Sequence, residues 1–349
     1  MAERFELAKD YTISRVINGC WQLSEGHSLE NSVDKNDVMN AFHMLVEKGF
    51  TTFDCADIYT GTEEFLGEFQ EQLKHGSTIS PNDIQIHTKY VPDIDILSSV
   101  DFQYTEKIID RSLKRLNRDV LDLVQFHWWD YDVPGCMETA GYLHELKQKG
   151  KIRHIGVTNF DTDHLAEIVD AGIPVVSCQT QYSVFDRRPE KKLLDYCKDK
   201  GISLLCYGTL SGGLLAEKWI GNDASVQPAT RSHVKYLQVI EDTLGFDGYQ
   251  DFLLLLDKIA KKHSVKIAHI ATKYILSQPS VGASIVGVRN SSHVESNECI
   301  FSFELDDKDI EEIEQFLDRY PILNGEPFEL ERTVGNKFRN IMKMNLNEA

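Results

Sequence analysis

From residue 15 to about residue 300, short β-branched or apolar runs alternate with longer stretches of helical periodicity, and no Pro/Ser-rich linker interrupts them. The runs are Arg15–Leu23, Thr51–Asp54, Ile84–Lys89, Leu121–His127, His154–Asn159, Val175–Gln181, Ser203–Gly208 and Ala283–Arg289. Asp37–Lys48, Tyr104–Leu116, Met137–Gln148, Thr162–Val169 and Glu190–Lys198 lie between them with apolar residues at helical spacing. Gly49, Gly150, Gly172 and Gly201 follow four of these segments, where a left-handed residue closes a helix. Strands that alternate with helices predict a parallel sheet, and eight strands is the number that closes into a barrel. The open doubly wound sheet normally carries G-x-G-x-x-G after its first strand, and none occurs here. The expected fold is therefore α/β: a single-domain (β/α)8 TIM barrel over residues 1–320, followed by a tail over 321–349. Thr209–Gly248 is expected as a long loop after the seventh strand, followed by an extra helix over Tyr249–His263. The segment Asp306–Arg319 is expected as a helix with Ile310, Ile313 and Phe316 on one face and its carboxylates in solvent.

The chain has 349 residues, 42% of them hydrophobic, enough to bury one large core. Its 55 acidic against 37 basic residues give a net charge of −18, which repels nucleic acid and anionic membrane surfaces. An anionic ligand would need a local basic cluster inside this acidic field. The seven cysteines are scattered without a C-x-x-C pair, so neither a disulfide framework nor a zinc ribbon is expected, and a reducing compartment fits. No leader-like or bilayer-length apolar run is present. The histidines show no H-E-x-x-H or paired-ligand spacing, so no metal site is expected. A soluble, cytoplasmic protein is the expectation.

Strand exits usually carry turn formers, but here they carry Asp54, Lys89, His127, Asn159, Gln179, Tyr207 and Arg289. In a barrel these ends converge on one mouth. A phenol titrates near pH 10, and a neighbouring ammonium lowers that value by stabilising the phenolate. Asp54 holding Lys89, and Lys89 tuning Tyr59, form such a relay, with His127 able to hydrogen-bond a carbonyl oxygen. The set suits proton delivery to an oxygen becoming an alkoxide, and it still needs a source of hydride. Trp21 and Trp128 are candidates to line an apolar substrate cleft, with core packing as the alternative.

The stretches GFTTFDCADIYTGTEEFLGEF, SLKRLNRDVLDLVQFHWWD, GKIRHIGVTNF and QTQYSVFDRR, with LLCYGTLSGGLL, resemble the aldo-keto reductase family over residues 12–300. The resemblance implies a (β/α)8 barrel that reduces aldehydes and ketones with a nicotinamide cofactor. It assigns the catalytic tetrad to Asp54, Tyr59, Lys89 and His127. It implies that Asn159 and Gln179 hold the carboxamide beside Thr158, that Tyr207 stacks on the ring, and that the turn Gly208, Leu210 and Gly212 takes the pyrophosphate. Arg289 would meet the adenosine phosphate, His293 would stand where relatives carry Arg or Gln, and Asn297 would contact adenine. NADP(H) is preferred, but Gly287-Val288 replaces the Lys-Ser or Lys-Thr pair of many relatives and thins the 2′-phosphate clamp, so NAD(H) remains possible. Arg231, His233 and Lys235 in the insertion are candidates to fold over the cofactor and add positive charge. A small-molecule carbonyl compound is the expected partner. The alternatives are a nicotinamide-nucleotide-binding regulatory subunit with little turnover, since the β-subunits of voltage-gated potassium channels resemble the same family, and an NAD-dependent alcohol or sugar dehydrogenase. Substrate, oligomeric state and physiological direction stay open.

Overall fold

Each of the eight runs overlaps a strand in the computed structural model, which describes residues 2–24, 34–75, 78–222, 228 and 230–347. An N-terminal hairpin comes first: β1 (Arg4–Ala8) pairs antiparallel with β2 (Tyr11–Ser14). The barrel strands follow as β3 (Val16–Gly19), β4 (Thr52–Asp54), β5 (Gln85–Tyr90), β6 (Leu121–Phe126), β7 (Ile152–Thr158), β8 (Val175–Gln181), β9 (Ser203–Tyr207) and β10 (Val281–Gly287). All neighbours are parallel, and β10 pairs with β3 to close the cylinder.

The hairpin was not legible in the alternation, because its strands lie before the first run. It packs against the barrel, where Leu7, Tyr11 and Ile13 join Ile17, Leu123, Leu205 and Ala283 in an apolar cluster. Helices between strands wrap the outside with their apolar faces inward, as alternating β/α order requires. Their starts are chemically marked. Asp101 accepts from the Tyr104 N–H at 2.7 Å, Asp161 from His164 at 2.8 Å, and Thr230 from His233 at 3.1 Å. Gly49, Gly150, Gly172 and Gly201 all have positive φ, between 68° and 91°.

Two expectations after the seventh barrel strand need correction. The segment expected as a loop over Thr209–Gly248 contains a helix, Arg231–Asp242, and residues 223–227 and 229 of it lie outside the described residues. The helix expected over Tyr249–His263 starts earlier, at Gly245. The helix Asp307–Leu317 buries Ile313 and Phe316 as expected, with Asp306 and Asp309 forming a capping box.

Beyond it, residues 321–347 fold back across the barrel. Leu323 O accepts from Lys191, Glu326 from Thr162, and Phe328 stacks on Tyr131 at 4.1 Å between ring centres. At the far end the Leu346 and Asn347 N–H groups donate to Asp93 at 2.8 and 2.9 Å. No helix among the described residues is long and apolar enough to cross a membrane. Nor do the described residues hold a group of three or more His, Cys, Asp or Glu able to bind a metal ion.

Candidate active site

Asp54 closes β4 and is only 4% exposed. One carboxylate oxygen accepts from Lys89 Nζ at 2.7 Å. The other accepts from the Gln125 and Gln179 amides at 2.9 and 2.6 Å. These partners come from β5, β6 and β8, so one carboxylate ties three other strands together. Register accounts for part of this: Lys89 on β5 pairs directly with Gln125 on β6. Gln125 escaped the sequence reading, although a glutamine inside an apolar strand (LDLVQF) is itself a signal that something buried needs its amide.

Lys89 also donates to Cys55 O at 2.8 Å, and its Nζ lies 4.9 Å from the Tyr59 ring centre. Burial works against the ammonium, but Asp54 and the Tyr59 phenol outweigh it and hold the lysine charged, its pKa raised. The relay Asp54–Lys89–Tyr59 is thus assembled. Lys89 lowers the phenol as expected, but burial sets the net position. Burial pushes Tyr59 up to about 12 even though Lys89 pulls it down. Desolvation wins because the enclosed hydroxyl has lost the water that would stabilise a phenolate. Tyr59 is therefore held in its protonated form.

His127 follows β6 and is 2% exposed. Its Nδ1 lies 2.9 Å from Thr158 O, an oxygen that can only accept, so Nδ1 carries the proton. Burial, with Arg332 beside it, holds the ring well below its usual pKa and therefore neutral. Nε2 is then an acceptor, and Arg332 Nη2 donates to it at 2.9 Å. In this arrangement the Nε2 expected to meet a carbonyl oxygen is occupied by Arg332.

Arg332 comes from the tail and is 7% exposed, with its guanidinium 5.4 Å from the Trp129 ring centre. Beside it, Glu331 faces Lys235 at 3.0 Å, Arg188 at 3.7 Å and Arg332 at 3.8 Å. Burial opposes the Glu331 carboxylate, yet these cations hold it down to about 2. Arg188 is already bidentate to Asp186 at 2.8 and 2.6 Å. Three cations thus share two carboxylates, leaving one positive charge in excess at this buried position. Nothing in the periodicity announced it, because Glu331 and Arg332 belong to a segment with no regular pattern.

Among the residues expected to meet a cofactor, Asn159 has a φ of 54° and its side-chain oxygen accepts from the Tyr207 hydroxyl at 2.8 Å. Gln179 is engaged with Asp54 as described, and with Gln125 at 2.8 Å. Thr158 supplies its carbonyl to His127. Lys235 lies 5.3 Å from the Tyr207 ring centre. Gly208 and Gly212 have positive φ, 75° and 67°, with Leu210 half-buried between them. A Cβ on Gly208 would come within 2.4 Å of the Tyr236 hydroxyl, so the turn admits the helix Arg231–Asp242. Arg289 is exposed and its N–H donates to His293 Nδ1 at 3.2 Å, a local turn contact.

Two buried polar atoms in this group have no hydrogen-bond partner among the described residues: Ser211 Oγ in the glycine turn and Asn297 Nδ2. Similar atoms occur elsewhere among the described residues, so these two matter through their place among the residues expected to meet a cofactor. A dinucleotide would pair them, so the residues present fit that group.

Trp21 is half-buried with its ring 4.8 Å from Tyr59, at the edge of the relay. Trp128 is a correction. It is fully enclosed between Phe126 and Gly135, its indole N–H donating to Val133 O at 3.1 Å, and so belongs to the core.

A closed parallel barrel with a buried Asp-Lys-Tyr relay at its strand exits defines an oxidoreductase of the barrel type. A model of the aldo/keto reductase family matches residues 15–318, and the chain belongs to that family. It is 30% identical over 314 residues to an aldo-keto reductase of Bacillus subtilis, YhdN, covering 87% of this chain and 90% of the relative. It is 25% identical over 318 residues to the NADH-specific methylglyoxal reductase of Escherichia coli, covering 86% and 93%. The solved structure of the glycerol dehydrogenase from Gluconobacter oxydans superposes with a TM-score of 0.76 at 25% identity, covering 93% of this chain and 98% of that one. Carbonyl reduction with a nicotinamide cofactor is the activity this membership carries.

Proposed function

We propose that this protein reduces a small aldehyde or ketone to an alcohol, with Tyr59 as the general acid and NADPH preferred over NADH. The observation that carries the reading is the Lys89 ammonium lodged between the Asp54 carboxylate and the Tyr59 ring in a buried setting. As the carbonyl oxygen gains negative charge, the Tyr59 hydroxyl gives it a proton, and Lys89 stabilises the phenolate left behind. Asp54 keeps Lys89 charged and aimed, and Gln125 and Gln179 fix the orientation of Asp54. The cofactor, when bound, supplies the hydride. Asn159, Gln179 and Tyr207 would hold its nicotinamide end, the turn over Gly208, Leu210 and Gly212 its phosphates, and Arg289, His293 and Asn297 its adenosine end. The unpaired Ser211 Oγ and Asn297 Nδ2 support that assignment. Trp21 beside Tyr59 supports an apolar wall for the substrate.

The unpaired cysteines, five of them fully buried, support a cytoplasmic setting. We read residues 321–349 as a tail that belongs functionally to the barrel of residues 1–320.

NADPH oxidation at its near-ultraviolet absorbance, with a panel of carbonyl compounds including methylglyoxal, tests the reading. Tyr59→Phe should lower kcat by about 10²- to 10⁴-fold, the usual worth of a positioned acid, while NADPH binding persists. Wild-type turnover by that variant would end the assignment. Arg289→Ala should weaken NADPH binding more than NADH binding; equal losses would remove the preference for the phosphorylated cofactor.

A further inference from the structure

Between β4 and the helix Thr62–Leu73, the stretch that carries Tyr59 contains no helix or strand. On one side it is held by Lys89, which donates to Cys55 O at 2.8 Å. On the other it is held through Asp57, a side chain the mechanism above does not use. Asp57 is 3% exposed, and its Oδ2 accepts from the Val91 N–H at 3.0 Å and from Asn347 Nδ2 at 3.2 Å. Its Oδ1 is buried with no hydrogen-bond partner among the described residues. Asp57 precedes Tyr59 by two positions, and Val91 follows Lys89 by two. Asn347 is itself buried, and its amide is fully committed. Nδ2 donates to Asp57 and to Val91 O, Oδ1 accepts from Arg111 Nη2, and Arg111 Nη1 donates to Asn347 O at 2.8 Å. The reverse orientation would set the amide's donors against a guanidinium that has only donors, so the network fixes which way it points. The Asn347 N–H donates to Asp93 at 2.9 Å. One amide thus joins the loop of the proton donor to the exit of the strand that carries its ammonium.

We propose that Asn347 is a positioning residue for carbonyl reduction: by bridging Asp57 and Val91 it fixes the Tyr59 loop against the strand end that holds Lys89. It acts through those two residues and takes no part in proton or hydride transfer. Without the bridge, the Val91 N–H is the one donor left to the Asp57 carboxylate among the described residues, and the loop loses its tie to the segment 321–347. The Tyr59 hydroxyl would then spread over positions from which proton transfer is slower, and a misplacement of about 1 Å can cost about 10²-fold in rate. The same contact gives the returning segment a task at the site that its irregular sequence does not announce. The inference rests on the carbonyl-reductase reading above.

Three variants test it, assayed with NADPH and the panel compound reduced fastest, with turnover counted per NADPH bound so that unfolded protein does not pass for slow enzyme. Asn347→Asp keeps the size of the side chain and an acceptor for Arg111, but removes both amide donors and sets a second carboxylate against Asp57. It should lower kcat about 10- to 10²-fold while KM and Kd for NADPH stay within about threefold of wild type. A residue that only holds the fold together would lower the fraction that binds NADPH and leave turnover per bound NADPH at the wild-type value, and that result would overturn the proposal. So would a loss confined to KM. The exchange of Asp57→Asn with Asn347→Asp returns an amide donor and a carboxylate to the same contact in the opposite sense. It should regain at least about fivefold in kcat over Asn347→Asp, as coupling between touching residues requires. No recovery would mean that Asn347 does not act through Asp57, and would refute the proposal. Should Asn347→Asp fold poorly, the exchange and Asn347→Ala, expected to lose about tenfold in kcat, still decide. If Tyr59→Phe is inactive while Asn347→Asp turns over at the wild-type rate, only this inference falls. If Tyr59→Phe is fully active, the acid assignment is lost and this inference with it.

Discussion

Lys89→Met keeps the aliphatic stem of the side chain and removes only the ammonium, so it isolates the charge on which the relay depends. In wild type, Lys89 and Asp54 are 5% and 4% exposed and 2.7 Å apart. Removing one member of such a pair leaves a charge that water cannot reach, which costs about 3–5 kcal/mol in comparable cases. Two amides still donate to Asp54, at 2.9 and 2.6 Å, so the lower end of that range, about 3 kcal/mol, is expected. A domain of ordinary stability, roughly 5–15 kcal/mol, survives this loss and can be assayed folded. Urea titration at neutral pH would measure it. Adding Asp54→Asn to Lys89→Met removes the orphaned charge, so the double variant should recover roughly half the deficit, a non-additivity expected of contacting residues. Chemistry should suffer more than stability. Without the ammonium the phenolate of Tyr59 loses its stabilising charge, and kcat/KM should fall by about 10²- to 10⁴-fold. If Lys89→Met lies within about 0.5 kcal/mol of wild type and the double variant is no better, the pair is not the buried unit described, and the mechanism built on it fails.

Tyr59, pushed up to about 12 by burial, should stay protonated across pH 6–9. Carbonyl reduction should therefore show no Tyr59 limb in that window, while alcohol oxidation, which needs the phenolate, should rise about tenfold per pH unit; a reduction rate falling with a midpoint near pH 7 contradicts this. Asp57 is raised to about 7 by burial, above its ordinary 3.8. The native state then binds the extra proton between those values, so the stability this group contributes is present in acid and falls as pH rises toward 7, by up to about 4 kcal/mol. Asp57→Asn, which retains an acceptor for the Val91 N–H, should flatten that slope in denaturation measured from pH 4 to 8. An unchanged slope would mean that Asp57 is ionised throughout. Gly67→Ala should lower Tm, because its Cβ would stand 2.2 Å from Arg115 O on the neighbouring helix. We expect a loss of about 1–3 kcal/mol despite the better helix propensity of alanine.

Alternation of short apolar runs with helical segments was enough to specify the eight strands, their parallel order and the closure of the barrel, because period and spacing are local properties of a chain. Polar residues at strand exits likewise marked Asp54, Lys89 and His127, since a parallel barrel sends every such position to one end. The N-terminal hairpin stood outside the alternation and left no trace in it. Helix Arg231–Asp242 lies in the stretch expected as a loop, where Thr230 caps its start.

What only the folded chain decided was which charges meet. Asp54 gathers Lys89, Gln125 and Gln179 from three strands through barrel register, and no linear spacing encodes a contact between residues 54 and 179. Burial decided that the Tyr59 phenol rises instead of falling, because desolvation depends on what covers a group and not on its neighbours in sequence. Arg332 reaches His127 across 205 positions. That contact exists because the last segment returns over the strand ends, where a guanidinium can satisfy an acceptor nitrogen that the barrel alone leaves bare.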